Sequence, residues 1–215
     1  MSDQEEFSPF EVRVLAVLAE KEAITPDNYP LSINALTNGC NQLTSRDPVM
    51  ELSESTVHDV LQGLKQRKLV SEVQQAGARV VKYEHRMRIK WSLEPDKLCV
   101  LTLLMLRGVQ TAGELRSRST RMHEFASLAD VEKALQFLQD KYPPLVVKLP
   151  LAPGTKEVRY GHTLCGEAAL QQEMLVAERS SPAQLRSSLE QEVAALRAEV
   201  AELRQQFADF KKQFE

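Results

Sequence analysis

The sequence predicts a mainly α protein with small β wings: two tandem winged-helix (helix-turn-helix) domains followed by a C-terminal coiled-coil helix. Three observations predict it. Capped helical segments lead into pairs of strands around turn residues. That order occurs twice. The C-terminal residues 185–215 then carry a heptad pattern.

The first helix is announced by SPFE at residues 8–11. Ser8 suits an N-cap, Pro9 the first helical position, and Glu11 closes a capping box. Val14, Leu15 and Leu18 follow as an apolar stripe at helical spacing. TPDNYP ends that helix. Ser32 caps a second one, INALTNGCNQ, and the loop TSRDPVMEL follows. Ser53 caps a third helix with Val57, Val60, Leu61 and Leu64 on one face. LVSEV and RVVKYEH read as two strands around QAGA, which makes the wing.

The same succession returns downstream. EPDKLCVLTLLML is an apolar helix, TAGE at 111–114 is a second capping box, and Ser127 with Asp130 forms a similar arrangement. LVVKLPL and EVRYGHTL flank the turn APGT. The third helices align at an offset of 74, pairing Ser53 with Ser127, Val57 with Val131, Leu61 with Leu135 and Leu64 with Leu138. The wings end alike, in Lys82–His85 (KYEH) and Arg159–His162 (RYGH). Tandem duplication explains this better than coincidence. The expected organisation is an acidic tail at 1–7, domains at 8–91 and 93–164, a helical linker at 166–184 and a coiled coil at 185–215.

In that last segment Leu189, Val193, Leu196, Val200, Leu203, Phe207, Phe210 and Phe214 alternate at four and three residues. Valine at a and leucine at d favour a parallel two-stranded coil. In that alignment Glu192 faces Arg197 and Glu199 faces Arg204 of the partner helix. The pattern predicts a homodimer; an amphipathic helix docked on its own chain is the alternative reading.

Composition excludes more than it selects. The net charge is −3 over 215 residues, and no strongly basic stripe is present. Three scattered cysteines argue against a disulfide framework and against a metal site. No P-loop, GxGxxG, HExxH or GxSxG occurs, so no enzyme, cofactor or metal is expected. The acidic N-terminus is not a signal peptide, and Leu98–Leu106 is too short to span a bilayer. The expected location is the cytoplasm, with no membrane contact. His85 and His162, in a repeated Tyr-x-His, read as structural anchors.

Winged helices place the third helix in the major groove and the wing along the backbone. Here the outward face centres on Ser55, Asp59, Gln62 and Gln66, flanked by His58 and Lys65 on one side and Thr56 and Arg67 on the other. Ser55, His58, Gln62, Lys65 and Arg67 are therefore candidate double-stranded DNA contacts. Lys82, Arg86, Arg88 and Lys90 share one face of the returning strand if that strand stays regular. Of these, Lys82, Arg86 and Arg88 join the candidates. In the second domain Arg116, Arg118 and Arg121 suit phosphate or an acidic partner. An ordinary solvated charged face is the competing reading throughout. Asp59 and the acidic balance favour a protein-binding scaffold as the alternative to DNA reading.

The run EVRVLAVLAEKEAITPDNYPLSINALTNGCNQLTSRDPVMELSESTVHDVLQGL closely resembles the YceH-like family of bacterial proteins, as do GELRSRSTRMHEF and VRYGHTLCG. The resemblance spans residues 8–166. It implies a tandem winged-helix fold in a bacterial cytoplasm and carries over no catalytic or binding residue.

Overall fold

The computed structural model describes residues 6–74, 80–151 and 157–179. The heptad residues from Leu189 to Phe214 and the tips of both wings lie outside the described residues. Met1–Glu173 forms one compact unit and Met174–Glu215 a second.

The first unit is mainly helical, with two small antiparallel sheets. It opens with α1 (Pro9–Ile24), β1 (Leu31–Ser32), α2 (Ile33–Cys40) and α3 (Glu54–Gln66). β2 (Val70–Val73), β3 (Lys82–His85) and the short α4 (Met87–Lys90) complete the first half. The second half repeats the order as α5 (Pro95–Arg107), β4 (Gln110–Thr111), α6 (Ala112–Ser119), α7 (Leu128–Gln139), β5 (Val146–Lys148) and β6 (Arg159–His162). α8 (Gly166–Arg179) follows. The sheets have matching orders, β1-β3-β2 and β4-β6-β5, with the last strand central in each. This arrangement is compatible with a winged-helix architecture in each half.

Local sequence accounts for the helix starts. Ser8, Thr111 and Ser127 close full capping boxes with Glu11, Glu114 and Asp130. Ser32 and Ser53 cap α2 and α3 by accepting from the N–H groups of Ala35 and Thr56. α3 ends in a Schellman motif. The Leu69 N–H donates to the Leu64 carbonyl at 2.9 Å and the Lys68 N–H to that of Lys65 at 2.9 Å. Lys68 therefore adopts a left-handed φ of 58°. Leu64 and Leu69, both buried, supply the apolar contact that accompanies the motif.

The two halves share one core. Every residue from Val12 to Glu20 of α1 is buried, and every residue from Leu98 to Leu106 of α5. A helix buried on all sides cannot be served by one half alone. α1 packs against α5 as well as against α2 and α3, and α5 packs also against α6 and α7. Gly39 of α2 lets that helix approach α1, because a Cβ there would lie 2.6 Å from Val17 Cγ1.

Two expectations change. The returning strand of the first half stops at His85 and turns into α4, so Lys82, Arg86, Arg88 and Lys90 do not alternate along one strand. The Arg86 N–H donates to the Leu69 carbonyl at 2.7 Å, which closes the sheet. Burial of Met87 beneath α4 completes the turn. Each wing is also the outer part of a three-stranded sheet rather than a lone hairpin, because two-residue strands before α2 and α6 pair with β3 and β6. No helix among the described residues is long and apolar enough to cross a membrane.

Leu101 is fully buried on α5. Leu101→Ala should cost roughly 2–5 kcal/mol. Because the halves share a core, Trp91 fluorescence and far-UV circular dichroism should report one coincident urea transition with a lower midpoint. Two separated transitions would show that the halves fold independently.

Candidate nucleic-acid interface

The inner face of α3 carries Val57, Leu61 and Leu64, all fully buried. That orients the opposite face outward, with Ser55, His58, Asp59 and Gln66 exposed and Gln62 and Lys65 half-buried. The outward polar groups bind one another. Gln62 Nε2 lies 3.3 Å from His58 Nε2, and Lys65 Nζ donates to Gln62 Oε1 at 3.3 Å. Lys65 also pairs with Glu72 of β2. The Gln62 amide donating to Nε2 leaves the His58 proton on Nδ1, which faces Asp59 Oδ1 at 3.6 Å. Ser55 Oγ lies 2.7 Å from the cap hydroxyl of Ser53.

The predicted cations divide into three groups. Arg67 is turned inward. It donates to Glu11 Oε1 at 3.0 Å, donates to the Glu6 carbonyl at 3.3 Å, and stacks on the Phe7 ring with Cζ 3.6 Å from its centroid. This half-buried guanidinium ties the N-terminal segment to the end of α3. Lys65 is held by Gln62 and by a partly exposed ion pair with Glu72, a class worth about 0–1 kcal/mol, which a phosphate could displace. Lys68, Lys82, Arg86, Arg88 and Lys90 form no salt bridge among the described residues. Arg86 sits beside the Lys68–Leu69 end of α3 through its backbone hydrogen bond. There the helix dipole favours cations. Lys82 lies at the other end of β3, opposite Val73, about 13 Å away at strand spacing.

In the second half the arginines are largely committed. Arg118 donates to Gln110 Oε1 at 2.6 Å and lies 3.7 Å from Glu114, and Arg116 donates to the Ala126 carbonyl at 3.1 Å. Arg121 is exposed. The outer face of α7 offers Glu132, Lys133, Gln136, Phe137 and Asp140.

Sequence reasoning missed a buried charged cluster behind α2. Arg46 is 6% exposed and binds Glu20 with both terminal nitrogens, at 3.1 and 2.6 Å. It also donates to the carbonyls of Gly39 and Ser45 and to Gln42. Arg13, 1% exposed, donates to the carbonyls of Cys40 and Pro48 at 3.1 and 2.6 Å. Burial alone would raise the Glu20 carboxyl, but the hydrogen bonds and charge of Arg46 outweigh it and hold the pKa below its ordinary value. The Asn41 side chain clasps both backbone groups of Leu52, at 2.8 Å each. Together these bonds fix residues 41–52 as a rigid loop. The only sequence signal for it is a pair of arginines in otherwise apolar or turn-forming surroundings. Cys40, within this cluster, is a buried thiol pushed up to about 12 by desolvation, and so is inert.

The first Tyr-x-His anchors its sheet to a helix, and the second faces one without a hydrogen bond. His85 Nδ1 accepts from the Met87 N–H at 3.2 Å, so Nε2 carries the proton and donates to Glu22 of α1 at 3.0 Å. His162 Nε2 faces Glu173 of α8 at 3.8 Å. No group of three or more His, Cys, Asp or Glu among the described residues could hold a metal ion. Burial lowers His162 from 6.5 to about 4. Burial, with the charge of Asp47, raises Glu173 from 4.5 to about 7.

Those shifts fix the sign of the pH response. Between pH 4.5 and 7 the folded state keeps a proton on Glu173 that the unfolded chain releases, so this group removes stability as pH rises. Between pH 6.5 and 4 the unfolded chain protonates a histidine that the fold holds neutral, so His162 removes stability as pH falls. In melting curves from pH 4.5 to 7, Glu173→Gln should abolish its part of the decline. Arg46→Ala should cost roughly 3–5 kcal/mol in urea unfolding by stranding Glu20. Glu20→Met combined with Arg46→Met should recover much of that loss.

The family described as "Protein of unknown function, DUF480" matches residues 7–155. A UPF0502 protein from Herminiimonas arsenicoxydans is 72% identical over 162 residues, 75% of this chain and 68% of the relative. A UPF0502 protein from Azoarcus sp. is 57% identical over 166 residues, 77% of this chain and 74% of the relative. A UPF0502 protein from Chromobacterium violaceum is 51% identical over 165 residues, 77% of this chain and 75% of the relative.

Proposed function

The chain belongs to the DUF480 family, and we propose that it is a DNA-binding protein of two tandem winged helices, acting as a homodimeric transcriptional regulator. One observation carries this reading. The outward face of α3, with Ser55, His58 and Gln62, is bordered by cations that form no salt bridge among the described residues: Lys68 and Arg86 at its C-terminal end, Arg88 and Lys90 on the following α4, and Lys82 on β3 towards the wing. Backbone phosphates on either side of a groove would meet those cations, and the hydroxyl, imidazole and amide groups between them would meet base edges. In this reading the first half does the reading and the second braces it. The heptads at 185–215 pair two copies.

The charge count sets the strength. Five cations neutralising up to five phosphates give a slope of log affinity against log salt near −4.5. Glu54 and Asp59 on the same helix reduce it. Fluorescence anisotropy on duplex DNA at about 50 mM salt should detect binding that weakens with a slope of roughly −3 to −4.5. Lys82→Glu with Arg86→Glu and Arg88→Glu should weaken it at least tenfold, and Asp59→Asn should tighten it. Absence of binding at that salt sinks the proposal.

A second reading has its own support. Glu54 and Asp59 face outward on α3, and α7 exposes Glu132, Phe137 and Asp140. Those surfaces suit a protein-binding scaffold without direct DNA reading. A stoichiometric partner that stays bound after nuclease treatment would favour it.

A further inference from the structure

The loop at 41–52 is built rigidly and then left uncovered. Arg13, Arg46, Asn41 and the Asp47 N–H, which donates to the Leu106 carbonyl at 2.9 Å, fix its path. Yet it presents Leu43 at 81% exposure and Val49 at 49%. Its exposed charges are both acidic, Asp47 and Glu51, and neither forms a salt bridge among the described residues. Burying two guanidinium groups is costly. A loop so held has its entropy already removed, which favours association.

A surface of opposite character lies on the same chain. α4 exposes Ile89 at 71%, flanked by Arg86, Arg88 and Lys90. The two surfaces cannot meet within one copy. Glu20 of α1 faces the loop through Arg46, whereas Glu22 faces the α4 side through His85. Two residues on a helix turn the direction by about 200°, so loop and α4 lie on opposite sides of α1.

We infer that the loop at 41–52 docks on α4 of a second copy of this chain, with Leu43 and Val49 against Ile89 and Asp47 and Glu51 against Arg86 and Arg88. The contact is head-to-tail, because the two patches differ and face apart, and so it propagates as a chain or ring rather than closing a two-fold dimer. Three apolar side chains and two carboxylates place it among small, transient interfaces. Salt weakens it by screening.

The inference shares Arg86 and Arg88 with the DNA reading but does not rest on it. Sedimentation equilibrium of the full chain over a concentration series tests it through paired charge reversals. Asp47→Lys with Glu51→Lys, and separately Arg86→Glu with Arg88→Glu, should each lower the association constant at least tenfold, leaving any step due to the C-terminal heptads. An equimolar mixture of the two variants should restore association, because each opposed pair becomes attractive again. The loop variant should keep its DNA binding, so loss of self-association there is separable from failure of the DNA reading. A second measurement guards against misfolding: Leu43→Cys and Ile89→Cys proteins, mixed and oxidised, should form the mixed disulfide in preference to either like pair. Unchanged association in both variants, no rescue on mixing, or a statistical distribution of disulfides would each overturn the inference.

Discussion

The burial of α1 and α5 against each other is the constraint on which the rest depends. Each is buried along nine successive residues, so neither presents the one-sided face of a surface helix. Each takes its own half's helices on one side and the other half's first helix on the other. A half that exposed such a helix would leave an extended apolar surface in water. Repetition of the element order and burial are therefore coupled, and β1–β6 and the outer helices are arranged around the pair.

Buried charge sets the next layer. Arg13, Arg46 and Glu20 occupy space that apolar residues could fill, and they are kept by saturating the guanidinium groups with carbonyls and a carboxylate. Their effect is positional. They hold the segment between α2 and α3, and with it the start of the helix that faces outward. Arg67 acts similarly at the other end of α3, between Phe7 and Glu11. Several cations of the first half thus serve the fold rather than its outer surface.

Some of this was legible in the sequence and some was not. The capping boxes at Ser8, Thr111 and Ser127 were legible because they involve residues three apart. The third helices and the Tyr-x-His strands were legible because helical period and a constant offset are patterns of the sequence itself. β1 and β4, each two residues long, carry no pattern of their own and exist only because β3 and β6 supply partners. The glutamate that holds His85 and the one that faces His162 lie 63 and 11 residues away, distances at which no motif speaks. The candidate site was half legible. Ser55, His58 and Gln62 do face outward. But Arg67 turns inward, Arg118 is engaged by Gln110 and Glu114, and Arg86 and Arg88 leave the strand for α4.

By itself the sequence determined the family, the helix starts, the repeat and the apolar face of α3, because each depends on side chains close together in the chain. The tertiary structure alone decided that the halves share one core and which cations remain outside. A charged side chain's fate depends on which carboxylate or carbonyl folding brings within hydrogen-bonding reach. Arg13 and Arg46 became fixed interior struts, while Arg86 and Arg88 stayed at the surface, although in the sequence all four are simply arginines.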